Sequence, residues 1–169
     1  MDSVFKEAIN EKNELILNMK SIILSTICDR NTPNSSYAPS IRGGNGDFYV
    51  YVSELSKHTR NILQNSRISA MIIEDESKAD NLFARKRLTM DCNAQKIERG
   101  VDEWEETLNE MRSKLGDTIK FLKDMTDFHL FKLVPINGLL VYGFGKAFKF
   151  KDGNLDSFSH LNDKGHTKS

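Results

Sequence analysis

FYVYVSELSKHTRNILQNSRISAMIIEDE, residues 48–76, decides how this chain folds. Residues 48–52 are aromatic or β-branched, the composition of a strand. Residues 56–65 place Ile62 and Leu63 where a short helix would turn both inward. The run 67–73 (RISAMII) reads as a second strand and stops at Glu74-Asp75-Glu76. Before this unit, Gly43-Gly44-Asn45-Gly46-Asp47 is hairpin chemistry. Ahead of that, residues 21–28 (SIILSTIC) and 35–41 read as strands joined through the Arg30-Asn31-Thr32-Pro33-Asn34 turn. The first twenty residues predict a helix capped by Asp2 or Ser3, with Val4, Phe5, Ala8 and Ile9 on one stripe.

After the unit, a helical turn near 78–83 leads into residues 85–97. There Leu88, Met90, Cys92 and Ala94 alternate with polar residues, as a half-buried strand requires. Residues 102–125 are the clearest helix. Asp102 at the N-cap with Glu105 gives a capping-box-like start, and Gly116 is the place for a bend or split. Trp104, Leu108, Met111, Leu115, Ile119 and Leu122 keep helical spacing. Residues 127–134 and 139–150 read as closing strands. The expected fold is mainly β with peripheral helices, an antiparallel sheet closed into a small barrel. One domain is expected over 1–150, followed by a polar, turn-rich tail over 151–169.

The chain has 169 residues, 24 basic and 24 acidic side chains, 38 % hydrophobic and 28 % charged content. At that size about 70 % of the unfolded surface is buried on folding, so neither disulfides nor metals are needed as staples. Zero net charge argues against nucleic acid or an anionic membrane as the main partner, which would need a basic excess. No basic and apolar leader opens the sequence and no apolar run reaches membrane length, so the expected address is the cytoplasm. Cys28 and Cys92 both lie in apolar runs and are expected to be reduced, buried core residues.

No P-loop, GxGxxG, HExxH or GxSxG motif occurs. Composition and spacing alone reach a small β-barrel with helices. The remaining chemistry lies in four histidines and two basic clusters. On general grounds His129 is a better ligand candidate than the tail histidines, because Asp127 lies two positions away on one strand face and could orient an imidazole. Arg85 and Arg87 would share a face suited to carboxylates or phosphates, the alternative being a solvated edge strand. Ser56, Lys57 and Arg60 sit at a predicted helix start, where free amides suit an anion or merely begin a helix.

The 48–76 unit resembles the strand-helix-strand core of FMN-binding split barrels related to pyridoxamine 5′-phosphate oxidase. SSYAPS (35–40), KHTRNI (57–62), IEDESKADNLFARKRLT (73–89), TDFHLFKL (126–133), GLLVYGFGKAF (138–148) and the terminal DKGHTKS resemble bacterial haem-utilisation proteins of the HugZ/HutZ type more closely. The resemblance runs from about residue 21 to 169.

It implies a homodimeric split barrel with haem near the subunit interface. His166 in the C-terminal tail corresponds to the axial ligand of haem iron, and Asp127 to the carboxylate that hydrogen-bonds the ligating histidine. Arg87 and His58 correspond to haem-pocket residues. Arg87 would suit a propionate or a polar ligand near iron. Ser56 and Lys57 match positions that hold FMN phosphate in the flavin branch, and His129 stands where an apolar residue is expected. The activity implied is oxidative haem breakdown, with O2 and an unspecified electron donor, to a biliverdin-type product and free iron. The alternatives are an FMN-dependent oxidoreductase and a non-catalytic haem carrier.

Overall fold

The alternation in residues 21–28 and 85–97 becomes a barrel wall in the computed structural model, which describes residues 3–161. β1 (Ser21–Ile27) turns at Asn31, whose φ is +57°, into β2 (Pro33–Arg42). The glycine-rich hairpin leads to β3 (Phe48–Ser53). α2 (Lys57–Gln64) then connects to β4 (Arg67–Ile73), and two 3₁₀ turns lead to β5 (Arg87–Ile97). β6 (Phe128–Val141), β7 (Ala147–Phe150) and β8 (Phe158–His160) follow. All pairs are antiparallel, in the order β3-β2-β1-β4-β5-β6-β7-β8, and β3 also pairs with β6. Six strands therefore close into a barrel, and β7 and β8 extend the sheet beyond the seam. The expected antiparallel barrel is present.

The barrel closes because β6 serves two neighbours. Its first half pairs with β3 and its last four residues with β7, while β5 runs along its other side. Where Asp91 faces Asn137 and Cys92 faces Pro135 the register shifts. This bulge admits Pro135, which lacks the N–H that a regular ladder would use. Residues 135–138, expected to separate two strands, thus lie within one 14-residue strand.

Ile22, Leu24, Val50, Ile72, Leu88, Met90, Phe131, Leu133 and Leu140 fill the interior. α1 (Ser3–Asn18) adds Ala8, Leu15 and Ile16, and α2 adds Ile62. Leu63, expected to turn inward with Ile62, is 44 % exposed. α3 (Asp102–Leu115) and α4 (Thr118–Leu122) pack Trp104, Leu108, Met111 and Ile119 against Ile41, Tyr49, Tyr51 and Leu130 in a second cluster. Residues 102–125 do split, at Gly116, whose φ of +100° disfavours any residue with a Cβ. Val101 rather than Asp102 is the N-cap, and no side-chain cap bond forms there. Asp102 instead begins an acidic first turn, where the helix dipole favours negative charge.

Opposite the barrel interior the sheet has another face. Its register aligns Tyr37, Ile23, Met71, Thr89, Leu139 and Lys149 across six strands. All six are exposed or half-buried, and none belongs to either apolar cluster. The neighbouring row carries Ile73, Arg87, Val141 and Ala147. No described helix is long and apolar enough to cross a membrane.

Candidate functional site

The segment SELS between β3 and α2 builds one end of the site. The Ser53 hydroxyl accepts the Leu55 amide at 3.0 Å, and the Ser56 amide donates to the Ser53 carbonyl at 3.0 Å. This local turn chemistry reverses the chain into α2. Arg60 donates to the carbonyls of Glu54 and Leu55 at 2.6 and 3.0 Å, which commits its guanidinium to the loop. Ser56 is the N-cap, yet its side chain makes no cap bond. Lys57 is exposed and makes no ion pair among the described residues. This pair is free to meet an anion.

α2 turns His58, Thr59, Asn61 and Ile62 inward, and Asn61 donates to the Thr26 hydroxyl at 2.9 Å. His58 is 8 % exposed, and its Nε2 has no hydrogen-bond partner among the described residues. Burial holds its pKa below the ordinary imidazole value, so the ring is neutral at pH 7. The Thr59 hydroxyl beside it is also buried without a partner among the described residues.

Asp127 lies just before β6, and its Oδ2 accepts from the Ser53 hydroxyl at 2.5 Å. The Glu54 amide donates to the Asp127 carbonyl at 2.9 Å. Oδ1 makes no hydrogen bond among the described residues. The expected pairing of Asp127 with His129 is absent: the carboxylate on His129 Nε2 is Glu54, at 2.5 Å. The reason is the start of β6 at Phe128, which leaves Asp127 off the ladder and turned to Ser53. Sequence reasoning passed over Ser53 and Glu54; the one signal was a Ser-Glu-Leu-Ser turn at the end of a strand.

The basic cluster 85–87 is resolved into three fates. Arg85 precedes β5, donates to the Glu74 carbonyl at 2.9 Å and pairs with Glu76 at 3.6 Å. Lys86, also before the strand, pairs with Glu11 of α1 at 2.5 Å. Only Arg87 has no carboxylate partner among the described residues; its Nη1 donates to the Arg85 carbonyl at 2.8 Å. The expectation that Arg85 and Arg87 form one clamp is corrected, because the Glu74 carbonyl draws Arg85 out of the ladder.

Cys28 also departs from expectation. It follows β1 in the turn, half-buried, and the backbone N–H groups of Arg30 and Thr32 hold its thiol pKa down, with help from Lys57. Cys92 is a buried core thiol, pushed up to about 12 by burial. The bond from Asn61 of α2 to Thr26, two residues before Cys28, sets Cys28 at the α2 end of the barrel.

His58, Ser56, Lys57, Asp127 and His129 therefore cluster around the β3–α2 corner. Arg87 does not join them. It pairs with Val141 at one end of the β5–β6 ladder, whereas Asp127 lies beyond the Ile97–Leu130 pair at the other. The 11 residues of β5 span roughly 33 Å of contour. His166 lies outside the described residues. Among the described residues no group of three or more His, Cys, Asp or Glu is arranged to hold a metal ion.

The family described as pyridoxamine 5′-phosphate oxidase matches residues 9–142. The chain belongs to this family. Within it the chain is of the HugZ/HutZ type. It is 40 % identical over 149 residues to a protein of Vibrio cholerae named heme oxygenase HutZ, covering 88 % of this chain and 84 % of that one. A crystal structure of HutZ from the same organism, described as a heme storage protein, superposes with a TM-score of 0.74 at 38 % identity. It covers 80 % of this chain and 96 % of that one. Campylobacter jejuni ChuZ gives a TM-score of 0.81 at 36 % identity, over 92 % of this chain and 63 % of that chain.

Proposed function

We propose that this family member binds haem between two copies of itself and opens the ring oxidatively. The observation that carries the reading is Arg87. Among the described residues it is the one cation of its cluster left without a carboxylate, on a sheet face whose central row is apolar or small and only half-buried. A planar, apolar dianion needs such a face together with a guanidinium for a propionate.

A second copy is needed because Arg87 and Asp127 stand at opposite ends of one protomer. A two-fold axis crossing the strands reverses their direction, bringing one protomer's Asp127 end towards the other's Arg87. Asp127 is held by Ser53 through Oδ2, so Oδ1 can accept the N–H of an imidazole ligand, the role proposed for His166 as axial ligand. His58, neutral and with Nε2 unpartnered among the described residues, presents a polar atom to the same corner. The names of the HutZ relatives support haem as the ligand.

Haem supplies the redox-active iron and is itself the substrate, consumed with O2 and an external electron donor toward a biliverdin-type product and free iron. The protein's part is axial ligation, orientation of that ligand by Asp127, and charge pairing by Arg87. One relative's description as a storage protein favours the second reading, a carrier that holds haem without turnover. The uncommitted Ser56 hydroxyl and Lys57 ammonium favour a third, FMN phosphate at the start of α2.

Titration of the purified protein with hemin and, separately, with FMN tests these readings. The expected result is a Soret band saturating at one hemin per protomer, altered in His166→Ala. FMN binding without a haem complex would overturn the haem reading. Ascorbate and O2 added to the complex should bleach the Soret band; persistence would leave the carrier. Sedimentation should give a dimer that Met71→Asp dissociates, and a wild-type monomer would remove the interface.

A further inference from the structure

A haem dianion carries two carboxylates on one edge, and Arg87 answers only one of them. The second needs a cation of its own, within reach of the first and on the same side of the sheet. The strand register supplies it. Thr89 follows Arg87 by two positions on β5, so the two share the outer face. Thr89 pairs with Leu139 of β6, and Leu139 pairs with Lys149 of β7. Lys149 therefore stands two strands across and two residues along from Arg87. At ~4.8 Å per strand and ~3.3 Å per residue, the two Cα atoms are about 12 Å apart. Two long side chains can converge across that distance on neighbouring carboxylates.

Lys149 is exposed and makes no ion pair among the described residues. Its neighbours are less suited. Lys146 is paired with Glu7 at 2.6 Å. Lys151 lies just past β7 and lines a pocket of about 370 Å³ together with Asp91, whose carboxylate repels an anion. Thr89, Leu139 and Lys149 line the same pocket. Asp91 is four residues from Arg87 along β5, on the far side of the Thr89 row. An anion between Arg87 and Lys149 keeps clear of it.

We infer that Lys149 receives the second propionate of haem and, with Arg87, fixes how the ring is oriented on the sheet. The inference rests on haem binding to this face, as proposed above. With both carboxylates held, the apolar ring lies over Thr89, Leu139 and Met71, the small and apolar part of the row. A lysine with no ligand would serve there only to discourage sheet aggregation, and experiment separates the two roles.

Hemin and hemin dimethyl ester, whose carboxylates are blocked, are titrated separately into the full chain and followed by the Soret band. Lys149→Met should weaken hemin binding by about tenfold, leave the ester unaffected and keep the wild-type melt. Lys149→Arg should retain hemin affinity. Arg87→Met, the reference for this face, should also weaken hemin. Weakening by Arg87→Met but not by Lys149→Met would overturn the inference and leave the haem reading standing. Equal weakening of hemin and ester by Lys149→Met would overturn it too, since the carboxylates would then play no part. Hemin binding untouched by either substitution, or no hemin binding at all, would remove this face as the haem site and the inference with it.

Discussion

Gly138→Ala should be the most destabilising single-methyl change in the β6–β7 ladder. Gly138 pairs with Met90 on one side and Phe150 on the other. A Cβ there would stand 2.1 Å from Phe150 Cε1 and 2.3 Å from the Thr89 carbonyl oxygen. Ordinary contact needs well over 3 Å, so the methyl group must displace a core ring by more than 1 Å and strain a β5 carbonyl in the sheet. Phe150 is 1 % exposed and packs edge-on to Phe158, so its ring cannot move without disturbing the core.

Overpacking of this kind costs about 1–3 kcal/mol, and a backbone atom among the clashes puts it at the upper end. Loss of glycine's unfolded-state freedom returns about 0.4–1 kcal/mol. The net is about 2 kcal/mol, which for a chain of this length lowers Tm by roughly 4–8 °C. In urea the midpoint should fall by about 1 M with m unchanged. Gly44→Ala is the control, since a Cβ there meets nothing within 4 Å. A Gly138→Ala protein melting within about 1 °C of the wild type would refute the steric reasoning, because no relaxation of side chains alone relieves the Thr89 contact.

Three further outcomes follow from the site. Burial lowers the His58 pKa, so the unfolded chain binds that proton near pH 6.5 before the native state does. Native stability therefore falls as pH drops below about 6.5, and His58→Gln should flatten that limb in urea melts at pH 7 to 5; an unaltered slope would count against a neutral buried ring. At pH 8 a thiol with a pKa of about 12 is ionised in about one molecule in ten thousand, so iodoacetamide should alkylate Cys28 and spare Cys92 until urea unfolds the protein. Mass spectrometry of the peptides reads this directly, and equal labelling would contradict the burial of Cys92. Asp127→Asn should lower hemin affinity or its ascorbate-driven decay by about tenfold or more while the melt stays near wild type. An unchanged spectrum and decay rate would remove Asp127 from the site.

The barrel strands were legible because each buried side chain obeys a local period. Leu88, Met90, Cys92 and Ala94 alternate in the sequence and are all buried in the structure. α2 was legible for a similar reason, although Leu63 ended on the outer side of its axis. The continuous β6 was not, because a proline stops a regular ladder and only the bulge opposite Asp91 and Cys92 shows how the strand passes it. Cys28, by contrast, sits one residue past the end of a strand, and no local pattern distinguishes the last buried position from the first turn position.

The candidate site divides in the same way. Which residue types are present, and the resemblance that singles out Asp127, Arg87, His58 and His166, belong to the sequence alone. Which charges remain free was decided only by tertiary contact. Glu74, Glu76 and Glu11 occupy Arg85 and Lys86 from other elements and leave Arg87 without a carboxylate among the described residues, while Ser53 claims one oxygen of Asp127. Lys12 reads as one more surface lysine until Leu155 and Asp156 are brought against it. A side chain's chemistry is written in its own residue, but its availability depends on partners far along the chain, and only the closed barrel brings them within reach.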